Sequence, residues 1–97
     1  MKSTYVISVI AENTLEIFQR LAVVFSRNRL LINQMNFESF NKEGSSSFNI
    51  EIYTDEIKLD RVIKQLQKII ELIDVQVVSK NHFQNTQINK EVYLCQN

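Results

Sequence analysis

The chain has 97 residues, 44% of them apolar, and its eleven basic and eleven acidic side chains cancel to a formal net charge of zero. That length suits one domain burying roughly 60 to 70% of its unfolded surface in a single core, and with no Lys/Arg run longer than two residues the field needed to hold a polyphosphate is missing, so nucleic acid is not an expected partner. One glycine, no proline and one cysteine exclude a Gly-rich phosphate loop, a nucleophile elbow, an internal disulfide and a thiolate metal cage.

Thr4 to Ala11 alternates Tyr5, Ile7, Val9 and Ala11 against Val6, Ser8 and Ile10, and its β-branched content predicts a strand central in a sheet. A short polar turn, Glu12-Asn13-Thr14-Leu15-Glu16, then leads into a helix over Leu15 to about Asn28. Backbone N–H groups converge where a strand runs into a helix, with the positive end of the helix dipole behind them, which makes an anion site. Asn13 and Glu16 have the spacing of a capping box that would satisfy those donors internally. The helix stripe is Ile17, Phe18, Leu21, Ala22, Val24 and Phe25; Glu16 and Arg20 form an i,i+4 pair opposite, and Val23 stands in the polar face as a candidate partner contact.

Leu31 to Phe40 reads as a second strand, with Leu31, Met35 and Phe37 on one face and Gln34, Asn36 and Glu38 on the other. Asn41-Lys42-Glu43-Gly44 places the single glycine where a hairpin most needs positive φ. Ser46 to Thr54 returns with Phe48, Ile50 and Ile52 inward and Asn49, Glu51 and Tyr53 outward, so both strands are expected to be half-buried. A second helix over Asp55 to Glu71 carries Leu59, Val62, Ile63, Leu66, Ile69 and Ile70, capped by Thr54 or Asp55, and Asp74 to Val78 is a short fourth strand. The order βαββαβ with amphipathic helices predicts an α+β, ferredoxin-like fold: a four-stranded antiparallel sheet with both helices on one face. This domain is expected over 1–78, followed over 79–97 by a polar linker and a C-terminal tail strand, Ile88 to Cys95, docked on this domain or on a neighbouring chain. No apolar stretch approaches the ~20 residues of a membrane span, and Met1 to Thr4 runs into a strand rather than a signal sequence, so a cytoplasmic protein is expected.

Catalysis requires a nucleophile within reach of a base, or carboxylates with separated pKa values. His82 falls in the polar linker and Cys95 at the chain's end; Asp55, Glu56 and Asp60 sit where a helix's first turn favours acids for its dipole. No enzyme, no metal and no cofactor are expected. Tyr5 and Tyr53 invite comparison with RNA-binding sheets, but Ser47-Phe48-Asn49-Ile50-Glu51-Ile52-Tyr53 lacks the K/R-G-F/Y-G/A-F-V-x-F/Y pattern.

The run Ile7-Ser8-Val9-Ile10-Ala11-Glu12-Asn13, then Phe25-Ser26-Arg27, then Lys64-Gln65-Leu66-Gln67-Lys68-Ile69-Ile70 with Asp74-Val75, resembles the ACT domain of the acetolactate synthase small regulatory subunit. Asn89-Lys90-Glu91-Val92-Tyr93-Leu94 is similar to the strand that follows it, so the resemblance covers about Tyr5 to Leu94. It implies a noncatalytic subunit that binds and activates the large, thiamine-diphosphate-dependent subunit in branched-chain amino acid synthesis. It also implies side-by-side dimers with amino-acid effector sites at the interface, near the first helix's N-terminus. The effector-site positions are Asn13, Thr14, Leu15, Glu16, Ile17, Leu31 and Ile32; the partner contacts are Val23, Ile88, Val92 and Leu94. The chain departs from the family where it matters for sensing. Glu16 stands where the family usually has glycine, and Gly-aromatic-Asn-Ile-Glu-Ser becomes Arg29-Leu30-Leu31-Ile32-Asn33-Gln34, putting Leu31 in place of an effector-holding asparagine. Asn13 alone matches the effector site, which is expected to be degraded or retuned, with weak branched-chain amino acid binding. The other reading is a stand-alone ACT-like interaction module with no synthase partner.

Overall fold

The computed structural model describes residues 1–40 and 43–79. In chain order these form β1 (Lys2–Glu12), α1 (Leu15–Arg27), β2 (Ile32–Phe40), β3 (Ser45–Asp55), α2 (Glu56–Leu66) and β4 (Leu72–Ser79). The strands make one antiparallel sheet in the order β2-β3-β1-β4, with β1 at its centre beside β3, as its β-branched run predicts. The hairpin residues Asn41 and Lys42, and His82, Cys95 and the tail strand with Ile88, Val92 and Leu94, lie outside the described residues.

Register sorts every strand side chain to one of two faces. Ile7 pairs with Ile50 and Val77, and Val9 with Phe48 and Val75. This face packs with Ile17, Leu21, Val24 and Phe25 of α1 and Val62 and Leu66 of α2 in a single core. Both helices therefore cover the same face. Tyr5 belongs to this buried face and Tyr53 to the other, where it is exposed, so the two rings form no common stacking platform.

The structure corrects several expected boundaries. α2 ends at Leu66 rather than Glu71. From Gln67 the chain turns through short-range bonds, Lys68 N–H to Gln65 O and Leu72 N–H to Ile69 O, and Glu12 N–H donates to Glu71 O at 2.8 Å. Feeding β4 back along β1 requires that reversal, and the β-branched pair Ile69-Ile70 offers little helix propensity to oppose it. Ile69 still packs against the core, whereas Ile70 is exposed. β4 is longer than expected and begins at Leu72.

β2 begins at Ile32, and the register shifts between Ile32 and Gln34. The irregularity moves Ile32 onto the face of Met35 and Phe37, so Leu31 does not share that face as the simple alternation predicts. The expected half-burial of β2 also fails: Ile32, Met35 and Phe37 remain 41 to 42% exposed although they face the helical side. An edge strand gains cover from one neighbour only. Phe37 nonetheless packs at a tilt against Phe18 and Phe48, all three centroid separations in the cluster being 5.0 to 5.2 Å. Phe18 and Ala22, assigned to the buried stripe of α1, are at its exposed margin.

α1 ends where Arg29 N–H bonds Ser26 O and Leu30 N–H bonds Phe25 O, with Leu30 buried beside the core. Glycine usually occupies the left-handed position of this motif. Here Arg29 holds it at φ 55°, and Gly44 takes the expected positive φ, 70°, in the hairpin. Asn28, buried at the same corner, donates its amide to Val24 O at 2.7 Å and to Gln65 Oε1 at 2.9 Å, tying α1 to α2.

Candidate functional site

The β1–α1 loop is fixed by its backbone. Asn13 N–H donates to Gly44 O at 3.0 Å, Thr14 N–H to Glu12 O at 3.0 Å, and Ile17 N–H to Thr14 O at 3.4 Å. The N–H groups of Leu15 and Glu16, which open α1, have no acceptor among the described residues.

The expected capping box is absent. Thr14, not Asn13, is the N-cap residue; its side chain makes no capping bond, and its Oγ1 is buried without a partner. Asn13 instead donates Nδ2 to Ser39 Oγ of β2 at 2.7 Å. The β1–α1 loop is thereby joined to the C-terminal end of the edge strand. Glu16 lines a groove of about 440 Å³ between the helices, in a row with Gln19, Arg20 and Val23. Its carboxylate leaves the helix N-terminus uncapped while keeping a negative charge within one turn of the two open donors.

Arg20 does not pair with Glu16 as its i,i+4 spacing predicts. Its Nε lies 3.0 and 3.1 Å from the two Glu71 carboxylate oxygens, on the loop before β4. A partly buried carboxylate on a fixed loop offers a better-held partner than an exposed neighbour on the same helix. Val23 is 45% exposed, as its place in the polar face predicts, and faces the groove with Val24, Gln65 and Ile69.

Of the remaining expected site residues, Ile17 is fully buried in the core and Leu15 is exposed. Leu31 immediately precedes β2 and Ile32 opens it opposite Ile52, whereas Asn13 meets the strand's other end at Ser39. Seven residues of strand separate these positions, roughly 23 Å at ~3.3 Å per residue. One protomer therefore does not bring the two halves of the expected effector site together. Ser39 and Glu71 were not singled out by sequence, since each meets its partner only through the sheet or the helix layer.

Asp55 caps α2, as one of the two expected residues, by accepting Lys58 N–H at 2.7 Å. That backbone hydrogen bond holds its carboxyl below the usual carboxylate range. Asp60 pairs with Lys64 along the helix at 3.0 Å. Among the described residues no three His, Cys, Asp or Glu side chains are grouped to hold a metal, and no helix is long and apolar enough to cross a membrane.

Comparison with known proteins gives relatives in sequence and in fold. No family model matches the chain. The acetolactate synthase small subunit of Mycobacterium leprae is 32% identical over 72 residues, spanning 74% of this chain and 43% of that protein. The chain thus corresponds to less than half of that relative. The acetolactate synthase small subunit of Thermotoga maritima superposes with a TM-score of 0.67 at 20% identity, over 76% of this chain and 46% of the other. The ACT domain from GTP pyrophosphokinase of Chlorobium tepidum gives a TM-score of 0.69 at 18% identity, covering 80% of this chain and 100% of that domain.

Proposed function

We propose that this chain, an ACT domain related to the acetolactate synthase small subunit, is a noncatalytic module that binds and modulates an acetolactate synthase catalytic subunit. The observation that carries this reading is the 32% identity to a small subunit over 72 residues. The groove between the helices, with Val23 exposed among Glu16, Gln19, Arg20 and Lys68, supplies a mixed apolar and charged surface for such contact. In a rate assay, adding the chain to the catalytic subunit from the same organism raises acetolactate formation. A catalytic subunit that is fully active alone and indifferent to the chain overturns this reading and favours a stand-alone interaction module.

The working unit in this reading is a homodimer joined along β2. Among the described residues that strand is an edge of the sheet, carrying half-exposed Ile32, Met35 and Phe37. Antiparallel pairing of two β2 strands across a two-fold axis sets the Ile32 end of one copy beside the Ser39 end of the other. It thereby completes from two chains the site that one chain leaves divided. Light scattering that gives a clean monomer mass at tens of micromolar overturns the dimer.

The effector site is retuned. Two N–H donors at the start of α1 suit a carboxylate, but Leu31 contributes no hydrogen bond and Glu16 adds a like charge nearby. Valine, leucine and isoleucine bind weakly or not at all, and Glu16→Gly improves affinity by about 1 kcal/mol, one like-charge contact near a surface. Calorimetry showing micromolar valine affinity for the unaltered chain contradicts this, as does an affinity that Glu16→Gly leaves unchanged.

A further inference from the structure

The groove beside α1 has the make-up of a protein contact, an apolar strip inside a polar rim. Val23 and Ile69 form the strip, and Glu16, Arg20, Gln65 and Lys68 stand around it. Two of these polar side chains are already held by partners of their own. Arg20 gives its Nε to Glu71, and its terminal amino groups have no acceptor among the described residues. Gln65 accepts the amide of buried Asn28 on its Oε1, which leaves its Nε2 open among the described residues. Side chains fixed in advance lose little further freedom when something binds them. Lys68 makes no ion pair with any described residue.

We propose that this groove takes a segment of the catalytic subunit that presents a carboxylate beside an aliphatic side chain, the acid meeting Lys68 and Arg20 and the aliphatic group covering Val23. This rests on the regulatory reading and names the chemistry of its partner. Around Val23 the open groups are donors: the Arg20 amino groups, Gln65 Nε2 and Lys68 Nζ. The carboxylate of the lining, Glu16, stands roughly 10 Å before Val23 along α1 at ~1.5 Å per residue. Donors call for an acceptor, and because Glu71 balances Arg20 and leaves Lys68 unanswered, an ionised acceptor fits best. The dimer mate is not that occupant. Phe18 of α1 meets Phe37 of β2, 5.0 Å between ring centroids, whereas Arg20 and Val23 lie on the side of α1 toward Glu71 and Gln65. Pairing along β2 therefore leaves the groove open.

Carbodiimide coupling tests it, because that reagent joins an ammonium to a carboxylate only where the two touch. The full chain is mixed with the acetolactate synthase catalytic subunit of the same organism, and the coupled peptides are read by mass spectrometry beside the rate assay. The expected product joins Lys68 to an acidic residue of the catalytic subunit. Lys68→Glu is expected to raise the concentration of chain giving half-maximal activation by about tenfold, the effect of one reversed charge contact. Lys68→Arg keeps the original value, and neither change moves the melting temperature, since the side chain has no ion pair to lose. Activation that Lys68→Glu leaves unchanged, or coupling confined to other lysines, overturns the proposal while the regulatory reading stands. Lys68 joined to a second copy of this chain makes that copy the occupant and overturns it as well. Neither coupling nor activation overturns both.

Discussion

The two helices start in opposite ways. α2 begins at a capped end, where Asp55 accepts Lys58 N–H; α1 begins at an uncapped one, where, among the described residues, Thr14 Oγ1 is buried without a partner and the Leu15 and Glu16 donors face no acceptor. Yet α1 buries the wider stripe, Ile17, Leu21, Val24 and Phe25, against Val62 and Leu66 of α2 in the same core. The difference teaches that packing, not capping, holds α1 in place, because a helix anchored by tertiary contacts tolerates open donors at its end. That tolerance is what leaves open the position proposed for an effector.

Core anchors provide the largest test of this contrast. Ile17→Ala in α1 and Leu66→Ala in α2 each remove a fully buried side chain, and each is expected to cost about 2–5 kcal/mol by denaturant unfolding. An Ile17→Ala loss well below that range breaks the claim that packing holds α1.

A smaller, asymmetric effect is expected from the caps. Asp55→Ala lowers Tm at neutral pH, whereas Thr14→Val leaves it unchanged or raises it, since that hydroxyl makes no hydrogen bond to lose. The pH dependence follows from the lowered Asp55 pKa. Its contribution is complete above the unfolded carboxyl's pKa of about 3.9, and it is lost as pH falls through the lower folded value. Thermal melts across the acid range therefore converge for Asp55→Ala and the unaltered chain, and diverge toward neutrality.

The far end of α1 gives the next effect in size. Arg29→Gly relieves a left-handed backbone that costs roughly 1–2 kcal/mol in a residue with a side chain. The added freedom of the unfolded chain takes back part of that gain, about 0.5–1 kcal/mol. A net stabilisation of roughly 0.5–1 kcal/mol is expected, and denaturant midpoints read it. The smallest change in stability comes from Val23→Asp, within about 0.5 kcal/mol for an exposed position. The same substitution weakens activation of the catalytic subunit if the groove is the contact surface, so it separates stability from function.

The order of elements, the two amphipathic stripes, the glycine turn and the central place of β1 were legible in the sequence because each is a local pattern. Tyr5 to Ala11 needs only its own alternation to read as a buried strand, and Ile17 to Phe25 only its helical period. Val23 was legible for the same reason, as an apolar residue on the wrong face. What the sequence left undecided depends on partners distant along the chain. Asn13 had the spacing of a cap, yet Ser39 takes its amide from 26 residues away; Arg20 had a neighbour at i−4, yet Glu71 lies 51 residues on and is better held. Ile69 and Ile70 continued a helical stripe, and the return of β4 to β1 ended the helix before them. In each case a local pattern offered an exposed, entropically costly interaction, and the assembled fold supplied a competing partner already fixed in place.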